Sequence, residues 1–112
     1  MPIATCFLRR KLADTVDLQY VAAKWAMQIG VAIEDVCLTF VPHYGQGGQQ
    51  YEALVNLYLP SLWSADQVEK IQLGLLEVLT DHFGFQSKDV FIITSIVQSG
   101  HVVENGKIVK WE

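Results

Sequence analysis

The segment GVAIEDV at residues 30–36 recurs as GFQSKDV at residues 84–90. Gly, Asp and Val occupy identical places in the two copies, which are offset by 54 residues, and an apolar run follows each copy. Upstream of each copy, apolar residues at matching offsets share one helical face. They are Val21, Ala22, Trp25 and Ile29 in the first half and Leu75, Leu76, Leu79 and Phe83 in the second. The sequence therefore contains one strand–helix–strand pattern written twice.

The duplicated pattern predicts a single α/β (α+β) domain over residues 1–112, with two βαβ halves at about 1–44 and 51–98. A strand, a helix and a parallel strand connect in the right-handed sense. The predicted bounds are strand 3–8, helix 15–29 and strand 36–41, then strand 53–59, helix 65–83 and strand 90–96. Together they give a four-stranded sheet with two helices on one face.

Capping residues agree with these helices. Ser64 and Gln67 predict a capping box, and Asp14 or Thr15 is expected to cap the first helix. The glycine that opens each copy of the repeat, Gly30 or Gly84, suits the left-handed position after a helix.

The predicted strands at 36–41 and 90–97 are almost continuously apolar, which is typical of strands buried on both faces. Two helices cover only one face, so the other face is expected to pack on other subunits. Asn105-Gly106 predicts a β-hairpin over residues 99–112. The segment GQGGQQ at 45–50 is expected to be a flexible joint between the halves, since no phosphate-loop Lys-Ser/Thr follows it.

Composition excludes several classes of function. Half of the residues are hydrophobic (51%), 18% are charged, and the net charge of −4 disfavours nucleic-acid binding. No signal peptide is evident, and no apolar stretch approaches the ~18 residues of a membrane span. Cys6 and Cys37 lack metal or redox spacing, which favours two reduced core thiols in a cytoplasmic protein. Three dispersed histidines without paired carboxylates predict no metal site.

The start MPIA, the repeat, and the segment HYGQGG at residues 43–48 together resemble the tautomerase superfamily. That superfamily includes 4-oxalocrotonate tautomerase and macrophage migration inhibitory factor. The resemblance implies a homotrimer whose C-terminal segments pair across subunits. It also implies proton transfer between the keto and enol forms of small carbonyl acids, without a cofactor.

Pro2 is the catalytic residue that the resemblance implies. Once Met1 is removed, Pro2 has a free secondary amine, and α-amino groups have a pKa of about 7.7–8.0. Burial in an apolar pocket lowers the pKa of an amine, so the neutral base is available at neutral pH. The structural alternative is that Pro2 merely begins a strand. If Met1 is retained, Pro2 is an amide and has no basic nitrogen.

Five further residues are expected to bind the substrate. Arg9 or Arg10, at the end of the first strand, matches the family's carboxylate-binding cation, although a solvated charge run is the equal alternative. Tyr44 matches the aromatic residue of the family pocket, or else anchors its loop. Phe91 lies where relatives have Tyr. Trp111 either closes a pocket or docks on a neighbour.

Other family positions carry different residues. Where relatives have an Arg on the second strand, this chain has Cys37, and where they have a Lys after the helix-ending Gly, it has Val31. At the positions of a family arginine pair, it has Ser61 and Trp63. An Asn on the last main strand becomes Ile93. These departures predict an unusually apolar pocket and disfavour a dehalogenase, a hydratase or a dicarboxylate substrate. They leave two functions open: a tautomerase of small 2-oxo acids, and a non-enzymatic trimer that binds or signals.

Overall fold

A computed structural model describes residues 2–111, and its secondary structure follows the duplicated pattern. The bounds are β1 Ile3–Leu8, α1 Leu18–Ile29, β2 Cys37–Val41, β3 Ala53–Pro60, α2 Ala65–Phe83, β4 Val90–Val97, β5 Val102–Glu104 and β6 Lys107–Val109. A 3₁₀ turn at Ile33–Asp35 precedes β2, and another at Ser87–Asp89 precedes β4. The two halves therefore match even in the turns that lead into their second strands.

The four long strands form one mixed sheet in the order β2-β1-β3-β4. β1 is parallel to β2, and β3 is parallel to β4, whereas the central pair β1 and β3 is antiparallel. Each half is therefore a parallel βαβ unit, and the halves meet along β1 and β3. The predicted tandem βαβ fold with a four-stranded sheet is confirmed.

The start of α1 differs from the prediction. The helix begins at Leu18, and the Asp17 carboxylate caps it by accepting a hydrogen bond from the Tyr20 N–H at 3.2 Å. The preceding residues form a turn in which the Val16 N–H donates to the Ala13 carbonyl at 3.1 Å. The prediction that Asp14 or Thr15 caps this helix is wrong, because that turn uses the local backbone groups before the helix begins.

The other helix ends agree with the sequence. The Ser64 hydroxyl accepts from the Gln67 N–H at 3.2 Å, and the Ser64 N–H donates to the Gln67 side chain at 2.8 Å, which completes the predicted capping box. Gly30 and Gly84 follow the two helices with φ of 76° and 73°, as predicted. Of the helices within residues 2–111, none is long and apolar enough to cross a membrane.

Both helices pack on the same face of the sheet and bury one apolar core. The side chains of β1 and β3 that point to the helices are fully buried; they are Ala4, Cys6, Leu8, Ala53, Val55, Leu57 and Leu59. Trp25 is also fully buried, and its indole N–H donates to the Ile71 carbonyl at 3.3 Å. This contact ties α1 to α2 above the sheet and confirms the predicted core position of Trp25.

The opposite face of the sheet, here called the open face, is uncovered within the protomer. Strand register places Val41, Phe7, Leu54 and Phe91 in one row across it. Phe91 is 40% exposed and Ile93 is 52% exposed. Cys37 is also exposed. The prediction of two core thiols is therefore wrong for Cys37 within one protomer, because the alternation of β2 directs this side chain away from the helices.

The C-terminal hairpin pairs β5 with β6 in antiparallel register, as predicted. Its two-residue turn consists of Asn105 and Gly106, with φ of 54° and 75°. Positive φ at both central positions is the requirement of the turn type that matches the twist of a hairpin. The hairpin lies at the end of the sheet where β1 begins and where β3 and β4 end, since its residues line a cavity there together with Ile3, Pro60 and Val97.

Candidate active site

A cavity of about 360 Å³ opens where β1 begins. Its apolar walls come from Ile3 of β1, Pro60 of β3, Leu62 just after β3, and Trp111 beyond the hairpin. Tyr58 of β3 also lines it. A largely apolar cavity of this size is typical of small-molecule sites.

Pro2 stands at this end of the sheet. It is fully buried, and its carbonyl accepts a hydrogen bond from the Cys37 N–H at 3.0 Å, which extends the β1–β2 pairing by one residue. Ile3, the residue after Pro2, lines the cavity, whereas the ring of Pro2 does not. The predicted removal of Met1 lies outside the described residues. The structure therefore places Pro2 beside the cavity and beneath the helices.

Trp111 is held against the same cavity by two serine hydroxyls. Its indole Nε1–H donates to Ser61 Oγ at 3.1 Å, and its backbone N–H donates to Ser99 Oγ at 2.9 Å. Half-buried indoles are normally oriented by such a partner. These bonds tie the end of the chain to the segment that follows β3, so Trp111 forms a fixed wall at the Pro2 end of the sheet.

The other predicted substrate-binding residues lie at the opposite end of β1. The six residues of β1 span about 17 Å. Tyr44 packs on Phe7 with ring centroids 4.5 Å apart, and Phe91 packs on Tyr51 at 5.1 Å. Within one chain, Trp111 is thus the single predicted substrate-binding residue that shares an end of the sheet with Pro2.

Arg9 and Arg10 also lie beyond the far end of β1 and differ in their contacts. The Arg10 guanidinium donates to the Phe83 carbonyl at 3.2 Å and lies 4.5 Å from the Phe85 ring centroid. Arg10 therefore provides a hydrogen-bond donor to a carbonyl in the last turn of α2, where a cation is favourable. The Arg9 side chain is exposed, and the backbone N–H of Arg9 donates to the backbone carbonyl of Glu52 at 3.2 Å.

Three carboxylates that the sequence interpretation missed line the cavity. Glu34 and Asp35 come from the 3₁₀ turn before β2, and Glu104 comes from the hairpin. A signal for Asp35 was available in the repeat itself. Asp35 lies just before β2, and the starts of parallel strands meet at one edge of a sheet, which places it at the Pro2 end. Among residues 2–111, no cation lines the cavity.

Two further side-chain properties characterise the residues that the structure describes: the grouping of metal-binding side chains and the state of the buried thiol. Within the described range, no group of three or more His, Cys, Asp or Glu residues is arranged to hold a metal ion. Burial raises the pKa of the Cys6 thiol from 9.0 to about 12, so that this core cysteine is protonated and unreactive. The polar side chains that line the cavity include Trp111 and the three carboxylates.

Solved structures with the same fold cover almost the whole chain. A fused 4-OT, solved as an asymmetric trimer, matches 95% of this chain and 94% of its own at 15% identity, with a TM-score of 0.78. A protein solved after inactivation by 2-oxo-3-pentynoate matches 96% of this chain and 94% of its own at 15% identity, with a TM-score of 0.76. The macrophage migration inhibitory factor of Trichinella spiralis matches 93% of this chain and 96% of its own at 15% identity, with a TM-score of 0.75.

Comparison at the level of sequence finds no such relatives. No protein-family model matches the chain, and no curated protein matches it. Identities of 12–15% with the solved structures show a shared fold. The order of the strands, the two capped helices and the C-terminal hairpin agree with that likeness. The chain has the fold of the tautomerase superfamily.

Proposed function

We propose that the chain is a cofactor-independent keto–enol tautomerase of small 2-oxo acids, with the Pro2 amine as general base once Met1 is removed. The observation that carries the proposal is the position of Pro2, which is fully buried beside the cavity of about 360 Å³ at the start of β1. The likeness to tautomerases over almost the full length of the chain supports it.

The proposed chemistry needs a neutral amine next to a bound carbonyl compound. Burial disfavours the charged ammonium form, which leaves the nitrogen lone pair free near neutral pH. The amine removes a proton from the carbon beside the carbonyl, and the C–H electron pair moves to form the enolate. The enolate oxygen then takes up a proton to give the enol, and the reverse sequence regenerates the ketone.

In this proposal, the substrate carboxylate is bound by an arginine of a neighbouring copy. Arg9 and Arg10 lie across the length of β1 from the cavity of their own chain, a strand that spans about 17 Å. Arg9 is the better candidate, since Arg10 is engaged by Phe83 and Phe85. Tyr44 and Phe91 are assigned to the neighbour's cavity for the same reason.

A homotrimer is part of the proposal. The open face carries a row of apolar side chains that two helices of the same chain leave uncovered, and exposed apolar surface of this extent marks an interaction site. Two structural neighbours were solved as trimers, in agreement with this arrangement. The proposal retains the predicted cytoplasmic location and assigns no nucleic-acid or membrane partner.

Three measurements test the role of Pro2. Intact mass reports whether Met1 is absent. Ketonisation of phenylenolpyruvate is then compared between wild type, Pro2→Ala and the control Pro42→Ala, whose proline is exposed after β2. Loss of turnover in Pro2→Ala alone, by about 10²-fold or more, is the expected result for removal of a general base. The electrophile 2-oxo-3-pentynoate, which inactivated a structural neighbour, should modify the peptide that begins with Pro2.

A second function is favoured by one observation: the cavity is lined by three carboxylates and, within residues 2–111, by no cation. A non-enzymatic trimer that uses the same fold for binding or signalling accounts for that lining. It predicts an intact mass that includes Met1, or no turnover that depends on Pro2, and no adduct with the electrophile. Retained activity in Pro2→Ala would exclude the proposed mechanism.

A further inference from the structure

The carboxylates of the cavity come from two segments that are distant in the sequence. Glu34 and Asp35 precede β2, and Glu104 ends β5, yet all three line the same cavity. All three side chains are exposed rather than buried. Pro60, Leu62 and Trp111 contribute apolar surface to the same cavity. The cavity thus combines an apolar surface with three exposed carboxylates, which are here called the negative rim.

From this arrangement we infer that the cavity selects among substrates by the charge of their distal group, meaning the group opposite the 2-oxo acid end. A cationic distal group is preferred to an uncharged one, and an uncharged one to a carboxylate. The inference rests on the proposed function and narrows its substrate class to 2-oxo acids with an apolar body and a distal group that is not anionic.

Coulomb interaction gives the sign and the scale of this preference. A distal carboxylate in the cavity would face three like charges, and no cation from residues 2–111 of the same chain lines the cavity. In the proposed function, the neighbour's Arg9 is already paired with the carboxylate of the 2-oxo acid end. Like charges juxtaposed in a partly desolvated site weaken binding strongly, whereas opposite charges strengthen it. The apolar surface of the cavity favours an aromatic or aliphatic substrate body, whatever the charge of the distal group. Charge, rather than shape, is therefore the property that the rim selects.

The test uses three arylpyruvates that differ at the para position: a trimethylammoniomethyl group, a methyl ester and a carboxylate. We expect kcat/KM to fall in that order, with the carboxylate about tenfold below the ester. The combined variant Glu34→Gln, Asp35→Asn and Glu104→Gln should bring the three values within about twofold. Glu69→Gln, which removes one negative charge from the exposed surface of α2, should leave the order unchanged.

Salt provides an independent check on the variants. Raising the ionic strength from about 0.05 M to 0.5 M should compress the charge order of wild type, because exposed carboxylates are screened. The combined variant should show little dependence on salt. An order that persists in the combined variant, or one that does not respond to salt, would overturn the inference.

A binding measurement separates this inference from the proposed function. The three corresponding para-substituted phenylacetates have no 2-oxo group and are not turned over. Their dissociation constants for wild type and the combined variant can be measured by NMR titration. Charge-ordered binding without turnover that depends on Pro2 refutes the tautomerase and supports the negative rim. Turnover that depends on Pro2 with equal rates for all three arylpyruvates refutes the rim and supports the tautomerase.

Discussion

Replacing Trp111 by Phe should loosen the C-terminal hairpin by a defined amount. The substitution keeps an aromatic ring in the cavity wall and removes only the indole N–H, which donates to Ser61 Oγ at 3.1 Å. The backbone bond from Trp111 to Ser99 at 2.9 Å is unaffected. The variant therefore isolates one side-chain hydrogen bond between the chain end and the segment after β3.

A neutral hydrogen bond of this kind contributes about 1 kcal/mol net to stability. Since about 1.4 kcal/mol corresponds to a tenfold change in an equilibrium constant, the hairpin should open about fivefold more often in Trp111→Phe. Amide hydrogen exchange reports such local opening. The informative probe is the N–H of Gly100, which donates to the Val109 carbonyl at 2.9 Å.

Trp63 offers a matched control. Its Nε1 is buried and has no hydrogen-bond partner among residues 2–111. Trp63→Phe makes the same chemical change without breaking a bond, and it relieves an unsatisfied buried donor. Exchange at Gly100 should therefore be unchanged in this variant.

A double-mutant cycle with Ser61→Ala decides the outcome. Ser61 has further interactions of its own, so its single substitution has a larger effect than the loss of this one bond. The coupling energy between the two sites should nevertheless be about 1 kcal/mol. Strict additivity of the two substitutions, or equal exchange rates in Trp111→Phe and wild type, would refute the argument that this bond holds the hairpin.

Three other outcomes follow from the structure. At pH 8, a thiol reagent should leave buried Cys6 unmodified until the protein unfolds, and it should modify Cys37 on the open face faster in dissociated subunits than in the proposed trimer, as peptide mass mapping would show. Because the pKa of Cys6 is raised from 9.0 to about 12, the contribution of its protonated thiol to the free energy of unfolding is complete below pH 9 and is lost as pH rises towards 12. At pH 10.5 this loss is about 2 kcal/mol, and in denaturant titrations Cys6→Ala should remove that part of the decline in stability with pH. Ile93→Lys, on the open face, should shift the sedimentation coefficient towards that of a monomer, whereas Glu69→Lys on α2 should not.

The fold could be predicted from the sequence because its signals are local and duplicated. Gly30 and Gly84 mark the helix ends, the Ser64–Gln67 box marks the start of α2, and Asn105-Gly106 marks the hairpin turn. Each signal acts over a few residues, and the repeat provides an internal check. The start of α1 was misplaced because Asp14, Thr15 and Asp17 are all competent caps, and the choice depends on a turn that only the backbone reveals.

The cavity was harder to predict because it depends on distance along the strand. Pro2 and Trp111 were singled out from the sequence, and the structure brings both to one end of the sheet. Arg9 is only seven positions from Pro2 in sequence, yet an extended strand separates them. Glu104 went unnoticed because the packing of the hairpin, which no sequence pattern specifies, carries it to the cavity.

The antiparallel meeting of β1 and β3 has a consequence for how many amines one chain can offer. The two halves have the same βαβ arrangement, and β3 occupies in the second half the place that β1 occupies in the first. But β3 begins in mid-chain, where Glu52 and Ala53 are joined by an ordinary peptide bond. A duplicated scaffold of this kind has two equivalent strand starts and a single chain terminus. Under the proposed function, the reactive nitrogen therefore belongs to the first half alone, and the start of β3 can be shaped by packing.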